Sequence, residues 1–336
     1  MKKLVFIFPG QASQYVGMGR DLYDHSPAAR AVMDHTASME GLNGIPDLCF
    51  SGPEELLTST DNVQPAITTI SLMALEAIKE ALGNKVELIK PVACAGHSLG
   101  EYAAHYAAGN LSLKQTLELV TWRGRWMNEA SQQPHPEGAM VAVMGLSLEQ
   151  TLSVVDQVGA DRLAVANLNS PGQIILSGER AAVEAAIPIA GKLGAKRTVI
   201  LKVSGAWHSP LMKPAQARMA ELLAGVIAPD RVSFNPAIPV IANATAETVK
   251  SVAELCETLT RQITSPVKWE ACVQALVHLA SEVNPETAGA LGGLCFVEIG
   301  PNKVLKGLLR NIDRNLEVMN VEDMAGVKAL LEALSP

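Results

Sequence analysis

Pro91-Val92-Ala93-Cys94-Ala95-Gly96-His97-Ser98-Leu99-Gly100-Glu101 is the stretch on which the fold turns. Its first five residues are a short apolar run suited to a buried strand, and residues 99–108 carry the small, apolar pattern of a helix. Ser98 therefore falls at a strand-to-helix junction, with Gly96 and Gly100 leaving room for a sharp bend. A serine placed there projects its hydroxyl outward. The Leu99 amide, at the helix start, has no partner inside the helix and is free to bind an oxyanion.

Working outward, residues 3–8 read as a first strand. The opening Met1-Lys2-Lys3 mimics a signal peptide, but the apolar run stops after five residues at Pro9-Gly10. Helical patterns follow at 26–38 and 65–82, and another at 113–130 ends in the breaker cluster Gln132-Gln133-Pro134-His135-Pro136. Strands at 139–144, 162–167, 173–177 and 197–203, with helices at 147–158 and 179–193, then give the order β-α-β-β-α-β. That order matches a ferredoxin-like unit, with Ser170-Pro171-Gly172 as the tight turn between its central strands. The larger pattern resumes with a helix at 211–224, a strand at 238–242 and a helix at 252–262. It closes with a strand at 294–299, the turn Gly300-Pro301, and helices at 304–310 and 324–334; residues 284–293 read as a long loop. The expected fold is α/β. A large α/β-hydrolase-like domain with a mostly parallel sheet spans 1–134 and 206–336, and a small ferredoxin-like α+β domain is inserted at 135–205.

Composition narrows the function. Charged residues make up 18% and aromatics 4% of 336 residues, which suits buried parallel strands. A net charge of −7 argues against a general nucleic-acid binder, which needs a positive surface to displace counterions. Cys49, Cys94, Cys256, Cys272 and Cys295 are scattered and form no C-x-x-C pair, so neither a disulfide framework nor a metal site is indicated and a cytoplasmic setting is expected. No apolar stretch approaches bilayer-spanning length, and no association stripe is evident, so a monomer is expected.

A serine hydroxyl needs a base. Of seven histidines, His208 is the best placed, because it follows the last strand of the inserted unit in the small-residue turn Ser204-Gly205-Ala206-Trp207-His208-Ser209-Pro210. His97 is expected to shape the elbow, since adjacent side chains on a turn diverge; His25, His35, His105, His135 and His278 have no supporting context. The turn Phe8-Pro9-Gly10-Gln11-Ala12-Ser13-Gln14 lacks the Lys-Ser/Thr ending of a phosphate loop and the three-glycine dinucleotide fingerprint. The Gln11 amide fits better as a second oxyanion donor. Arg123 sits mid-helix among large apolar residues, Met127 one turn on; if that face looks inward, its guanidinium wants a carboxylate, whereas Arg125 reads as solvent-facing.

Taken together, the chain resembles the malonyl-CoA:acyl carrier protein transacylases and the related acyltransferase domains of polyketide synthases. The landmarks are Pro9-Gly10-Gln11-Ala12-Ser13-Gln14, the elbow, Arg123-Gly124, Asn169-Ser170-Pro171-Gly172-Gln173, the segment from Gly205 to Met212, Gln262 with Ser265-Pro266-Val267-Lys268-Trp269, and Glu298-Ile299-Gly300-Pro301. The resemblance implies Ser98 as nucleophile, His208 as general base, Gln11 and Leu99 as oxyanion donors, and Arg123 as the holder of the malonyl carboxylate. It implies that a carbonyl or side chain at Gln262 orients the histidine. Trp207, His97, Met127 and Asn169 are the expected pocket residues. The family commonly has glycine where this chain has Ala12 and Phe or a smaller residue where it has Trp207; the bulk of Trp207 is expected to crowd an α-methyl and favour malonyl over methylmalonyl. The implied reaction is ping-pong transfer from malonyl-CoA to acyl carrier protein, with no metal, prosthetic group, nucleic acid or membrane. Lys268, Lys303, Lys306, Arg310 and Arg314 are candidates to dock the acidic carrier. The alternatives are a serine thioesterase or esterase of α/β-hydrolase type, a transacylase of polyketide synthesis or malonate decarboxylation, and a non-catalytic acyl-binding subunit that keeps the fold.

Overall fold

The computed structural model describes residues 2–84, 89–132, 137–227, 234–235, 237–282 and 293–334. Among them the strands are β1 (Lys3–Phe8), β2 (Ala93–Gly96), β3 (Gly138–Met144), β4 (Leu163–Ser170), β5 (Gln173–Glu179), β6 (Arg197–Ile200), β7 (Val240–Ile241), β8 (Leu294–Ile299) and β9 (Glu317–Val321). Five build one parallel sheet in the order β7-β2-β1-β8-β9. β1 is an unbroken apolar run because both its faces are covered. Leu4, Phe6 and Phe8 pack with Ile70 and Met73 of the helix Thr60–Leu82, while Val5 and Ile7 pack with Trp269, Cys272 and Leu305 on the other side. The register pairs Phe8 with Gly96, so β1 and β2 end level. The loops that leave them, carrying Gln11 and Ser98, emerge side by side at the carboxyl edge, where open α/β sheets bind ligands.

The remaining four strands form an antiparallel sheet in the order β4-β5-β3-β6. One face, with Val141, Val143, Leu163 and Leu176, buries Val154 of the helix Leu148–Val158 and Val183 of the helix Arg180–Lys192. The other face, with Met140, Ala142, Ala166 and Ile175, joins Trp126, Met127, Trp207 and Leu99 in a shared core. β4 also pairs by backbone with the segment between the helices Val252–Gln262 and Trp269–Glu282: Leu168 N donates to Val267 O at 2.9 Å and Val267 N to Ala166 O at 2.8 Å.

Several elements differ from the sequence reading. The helix expected at 65–82 starts at Thr60 and carries Pro65 inside it, where the proline forgoes the hydrogen bond to the Asp61 carbonyl. β6 stops at Ile200 rather than 203, and the strand expected at 238–242 shrinks to Val240–Ile241. Five elements had no counterpart: the short helices Arg20–His25, Ile45–Ser51 and Glu54–Thr58, the helix Trp269–Glu282, although its buried Trp269, Cys272, Val273, Leu276 and Ala280 have helical spacing, and the half-buried edge strand β9. The breaker residues 133–136 and positions 284–292 of the expected loop lie outside the described residues.

Candidate active site

Ser98 stands between β2 and the helix Gly100–Ala107 with a left-handed φ of 50°, strained for a residue with a Cβ. The flanking glycines make the bend possible: a Cβ on Gly96 would lie 1.9 Å from Gly100 C, and one on Gly100 would lie 2.1 Å from Phe8 O. Asn243, just beyond β7, clamps the bend. Its Oδ1 accepts from Ser98 N at 2.6 Å and its Nδ2 donates to Gly96 O at 2.7 Å.

Ser98 Oγ lies 2.8 Å from His208 Nε2, and His208 Nδ1 lies 2.8 Å from the Gln262 carbonyl oxygen. A carbonyl only accepts, so Nδ1 carries the ring proton and Nε2 presents a lone pair to the serine. Burial, reinforced by the Arg123 cation, holds His208 down to about 3, so the imidazole is neutral at ordinary pH. The partner on Nδ1 is thus a backbone carbonyl, with no aspartate or glutamate in that place.

Arg123 comes from the helix Leu113–Gln132 and is fully buried. Gly124 lets that helix close on Thr60–Leu82, where a Cβ would lie 2.8 Å from Thr60 O. Arg123 Nη1 donates to Gln64 Oε1 at 2.6 Å, and Nη2 donates to both Ser98 Oγ and Gln262 Oε1 at 3.1 Å. Nε has no partner, and the Tyr102 ring lies under the guanidinium at 5.7 Å. Burial lowers the Arg123 pKa, opposed chiefly by Tyr102 and then Glu101. No carboxylate touches the guanidinium among the described residues. On that side of the guanidinium Nη2 is bonded to Ser98 Oγ, and the adjacent Nε is buried with its hydrogen-bonding capacity unused.

Gly10 rests on the elbow, since a Cβ there would lie 2.5 Å from His97 O, which sets the following Gln11 beside it. Among the described residues neither the Gln11 nor the Leu99 amide donates to a protein acceptor. Ala12 takes a left-handed φ of 78°, which accounts for the glycine common in the resembling family. His97 Nε2 donates to Asn169 Oδ1 at 2.8 Å, tying the elbow to the end of β4. Met127 is buried with its Sδ 3.6 Å from Gln64 Nε2, and Trp207 is buried against Gly205 in the same apolar cluster as Leu99 and Met127. Sequence reading missed Gln64, Asn243, Tyr102 and the part played by Glu101. Only Glu101 gave a signal, a lone acid among small residues at a helix start; it is fully buried and its carboxyl is pushed up to about 7. No cluster of three His, Cys, Asp or Glu side chains able to hold a metal occurs among the described residues.

Residues 5–322 match the acyl transferase domain family. The chain belongs to that family. This acyl transferase domain is 40% identical over 338 residues to the malonyl CoA-acyl carrier protein transacylase of Bacillus subtilis strain 168, covering 99% of this chain and 98% of that one. It superposes with a TM-score of 0.84 on the acyl-carrier-protein-S-malonyltransferase of Bartonella henselae, at 36% identity and 99% coverage of both chains. A malonyl-transacylase solved in complex with a type II PKS acyl-carrier protein gives 0.85 at 34% identity, covering 98% of this acyl transferase domain and 99% of that chain. The same family accounts for the mixed α/β architecture with its parallel sheet.

Proposed function

We propose that the chain transfers a malonyl group from malonyl-CoA to the phosphopantetheine thiol of an acyl carrier protein, through a malonyl ester on Ser98. The observation that carries this reading is Arg123: a buried guanidinium bonded to the nucleophile's own oxygen, with no carboxylate in contact with it among the described residues. An acyl group that ends in a carboxylate completes the fork bidentately, whereas an acetyl group leaves it empty.

In the first half-reaction Ser98 Oγ attacks the thioester carbon as its proton passes to His208 Nε2. The oxyanion accepts from the Gln11 and Leu99 amides, on the pattern that losing one such donor costs about 3 kcal/mol. Collapse breaks the C–S bond, and His208 returns the proton to the departing CoA sulfur. The carrier thiol then runs the steps in reverse. Gln262 orients His208 through its carbonyl, and every step uses groups of the chain itself. The carbonyl at Nδ1 supports this reading over a hydrolase with an acidic third member. Trp207, His97, Met127 and Asn169 line the pocket in this scheme.

We also read residues 135–205 as a ferredoxin-like domain inserted between 1–134 and 206–336, the larger part hydrolase-like in its elbow. The strand order β4-β5-β3-β6 supports it, as does the approach of Gly138 to Ala206, which brings entry and exit of the unit together. For the carrier, a cleft of about 560 Å³ lies between the Ser170, Gly172 hairpin and Arg310, Asn311, Arg314. Of the five basic candidates, Arg310 and Arg314 are the two that line this cleft and are favoured, whereas Lys303 pairs with Glu322 at 3.7 Å. Cysteines without disulfide partners suit a cytoplasmic monomer, and no helix among the described residues is long and apolar enough to cross a membrane.

Intact-protein mass spectrometry after mixing with malonyl-CoA tests the reading. A malonyl adduct should form, vanish in Ser98→Ala, and form roughly a hundredfold more slowly in Arg123→Ala, the cost of a lost charged hydrogen-bond pair. Equal labelling by acetyl-CoA would remove the role of Arg123.

A further inference from the structure

Arg123 carries a buried positive charge that no carboxylate contacts among the described residues, and the buried acid Glu101 reaches it through a single amide. Gln262 is the bridge: its Nε2 donates to Glu101 Oε2 at 2.6 Å, and its Oε1 accepts from Arg123 Nη2 at 3.1 Å. An ionised carboxylate only accepts, so Glu101 fixes which end of the Gln262 amide faces the guanidinium. The same Oε2 accepts from Asn243 N at 3.0 Å, whereas Oε1 is buried without a partner. A fully buried carboxyl with one idle oxygen is expensive unless it serves a charge nearby.

We propose that Glu101 is the resting counter-ion of Arg123 and takes up a proton when an acyl carboxylate seats on that guanidinium. The inference rests on the malonyl reading above and adds a charge-balancing partner to it. Two carboxylates cannot cheaply share one buried cation, so arrival of the second favours the neutral form of the first. The proton comes from solvent and adds to Glu101, leaving the cavity's net charge unchanged as the malonyl group enters. No carbon bond changes.

Burial already pushes Glu101 up to about 7, against its hydrogen bonds and Arg123, so the uptake falls near neutrality. The other titratable groups facing it stay neutral there. Tyr102 on its own helix and Cys272 on Trp269–Glu282 are pushed far up by burial, and His208, across Gln262, is held down to about 3. The sign follows: above the free-protein value, binding must bring a proton with it, so KM for malonyl-CoA rises with pH, by at most about tenfold per pH unit. Glu101 is a positioning residue, because it acts through Gln262 and Arg123.

Calorimetric titration of the Ser98→Ala protein, near pH 7.5 in two buffers of different ionisation enthalpy, counts protons without turnover. Malonyl-CoA should take up a few tenths of a proton more than acetyl-CoA, whose nucleotide and phosphates are the same. Adding Glu101→Gln, which keeps the acceptor oxygen and removes the charge, should abolish the difference. Equal counts for the two thioesters, or a difference that survives Glu101→Gln, would overturn the proposal. Should the double variant not fold, the wild-type ratio of kcat/KM for malonyl-CoA over acetyl-CoA serves: it should fall from pH 7 to 8.5, and a flat ratio refutes the role of Glu101. A protein that loads no malonyl at any pH refutes instead the function on which the inference rests.

Discussion

Ser98, His208 and Ala12 all have left-handed backbone, at φ of 50°, 59° and 78°. At the first two the strain is held by specific bonds: Asn243 grips the amide of Ser98, and the Gln262 carbonyl grips the ring of His208. Ala12 has only a Gln14 side chain on its amide, in an exposed turn. Ala12→Gly should therefore stabilise the protein by about 0.5–1 kcal/mol, the left-handed penalty of alanine less the extra chain entropy of glycine. A urea midpoint that falls in the variant would show that the turn is unstrained. His208 gives a second expectation. With its folded pKa lowered to about 3, the base is already neutral at pH 5, so single-turnover acylation at saturating malonyl-CoA should stay level from pH 8 to about 5. A rate that halves near pH 6.5 would place the histidine in water. In stability the same depression means that the neutral-histidine contribution, present above the unfolded value of 6.5, is lost as pH falls toward the folded one.

Elements were legible wherever one residue pattern had a single physical use. β1 is apolar at every position after Lys3 because both faces are covered, and the helix at 252–262 alternates by turns because only one face is. The helix Trp269–Glu282 shows the limit of that reading: its buried Trp269, Cys272, Val273, Leu276 and Ala280 keep helical spacing, but Ser265-Pro266 before it reads as a break. β9 had no such signal, since an edge strand half covered on each side carries no alternation. The approach of the helices Leu113–Gln132 and Thr60–Leu82 turns on one residue, Gly124, which the sequence shows only as the neighbour of Arg123. A methyl there must push against Thr60 O, a backbone atom that cannot swing aside. Gly124→Ala should cost about 1–3 kcal/mol in urea unfolding, and it should slow malonyl loading more than acetyl loading by moving Arg123 off Gln64. Equal slowing of both acyl groups would mean that the helix spacing does not set the guanidinium.

At the scale of the molecule, the proposed site residues that lie next to a glycine or inside a turn were legible in the sequence, and those that arrive by packing were not. Ser98, Gln11 and His208 announce themselves by their turns. Gln64, Asn243 and Tyr102 come from helices and a strand end that only the fold brings to one cavity, and nothing in their neighbours marks them. Surface charge is a different case, because a net charge of −7 hides where the cations lie. Arg310 and Arg314 face the Ser170–Gly172 hairpin across a cleft, and through Asn169 and His97 that hairpin continues to Ser98. Neither arginine makes an ion pair among the described residues. An acidic carrier seated there would have its pantetheine arm beside the elbow, drawn by an attraction that salt screens. The double charge reversal Arg310→Glu, Arg314→Glu should raise KM for the carrier roughly tenfold, as expected when rim charges turn from attractive to repulsive, while self-malonylation of Ser98 by malonyl-CoA keeps its rate. A carrier KM that is unchanged at low ionic strength would move the docking surface elsewhere, and a loss of self-malonylation would mean that the cleft serves CoA instead.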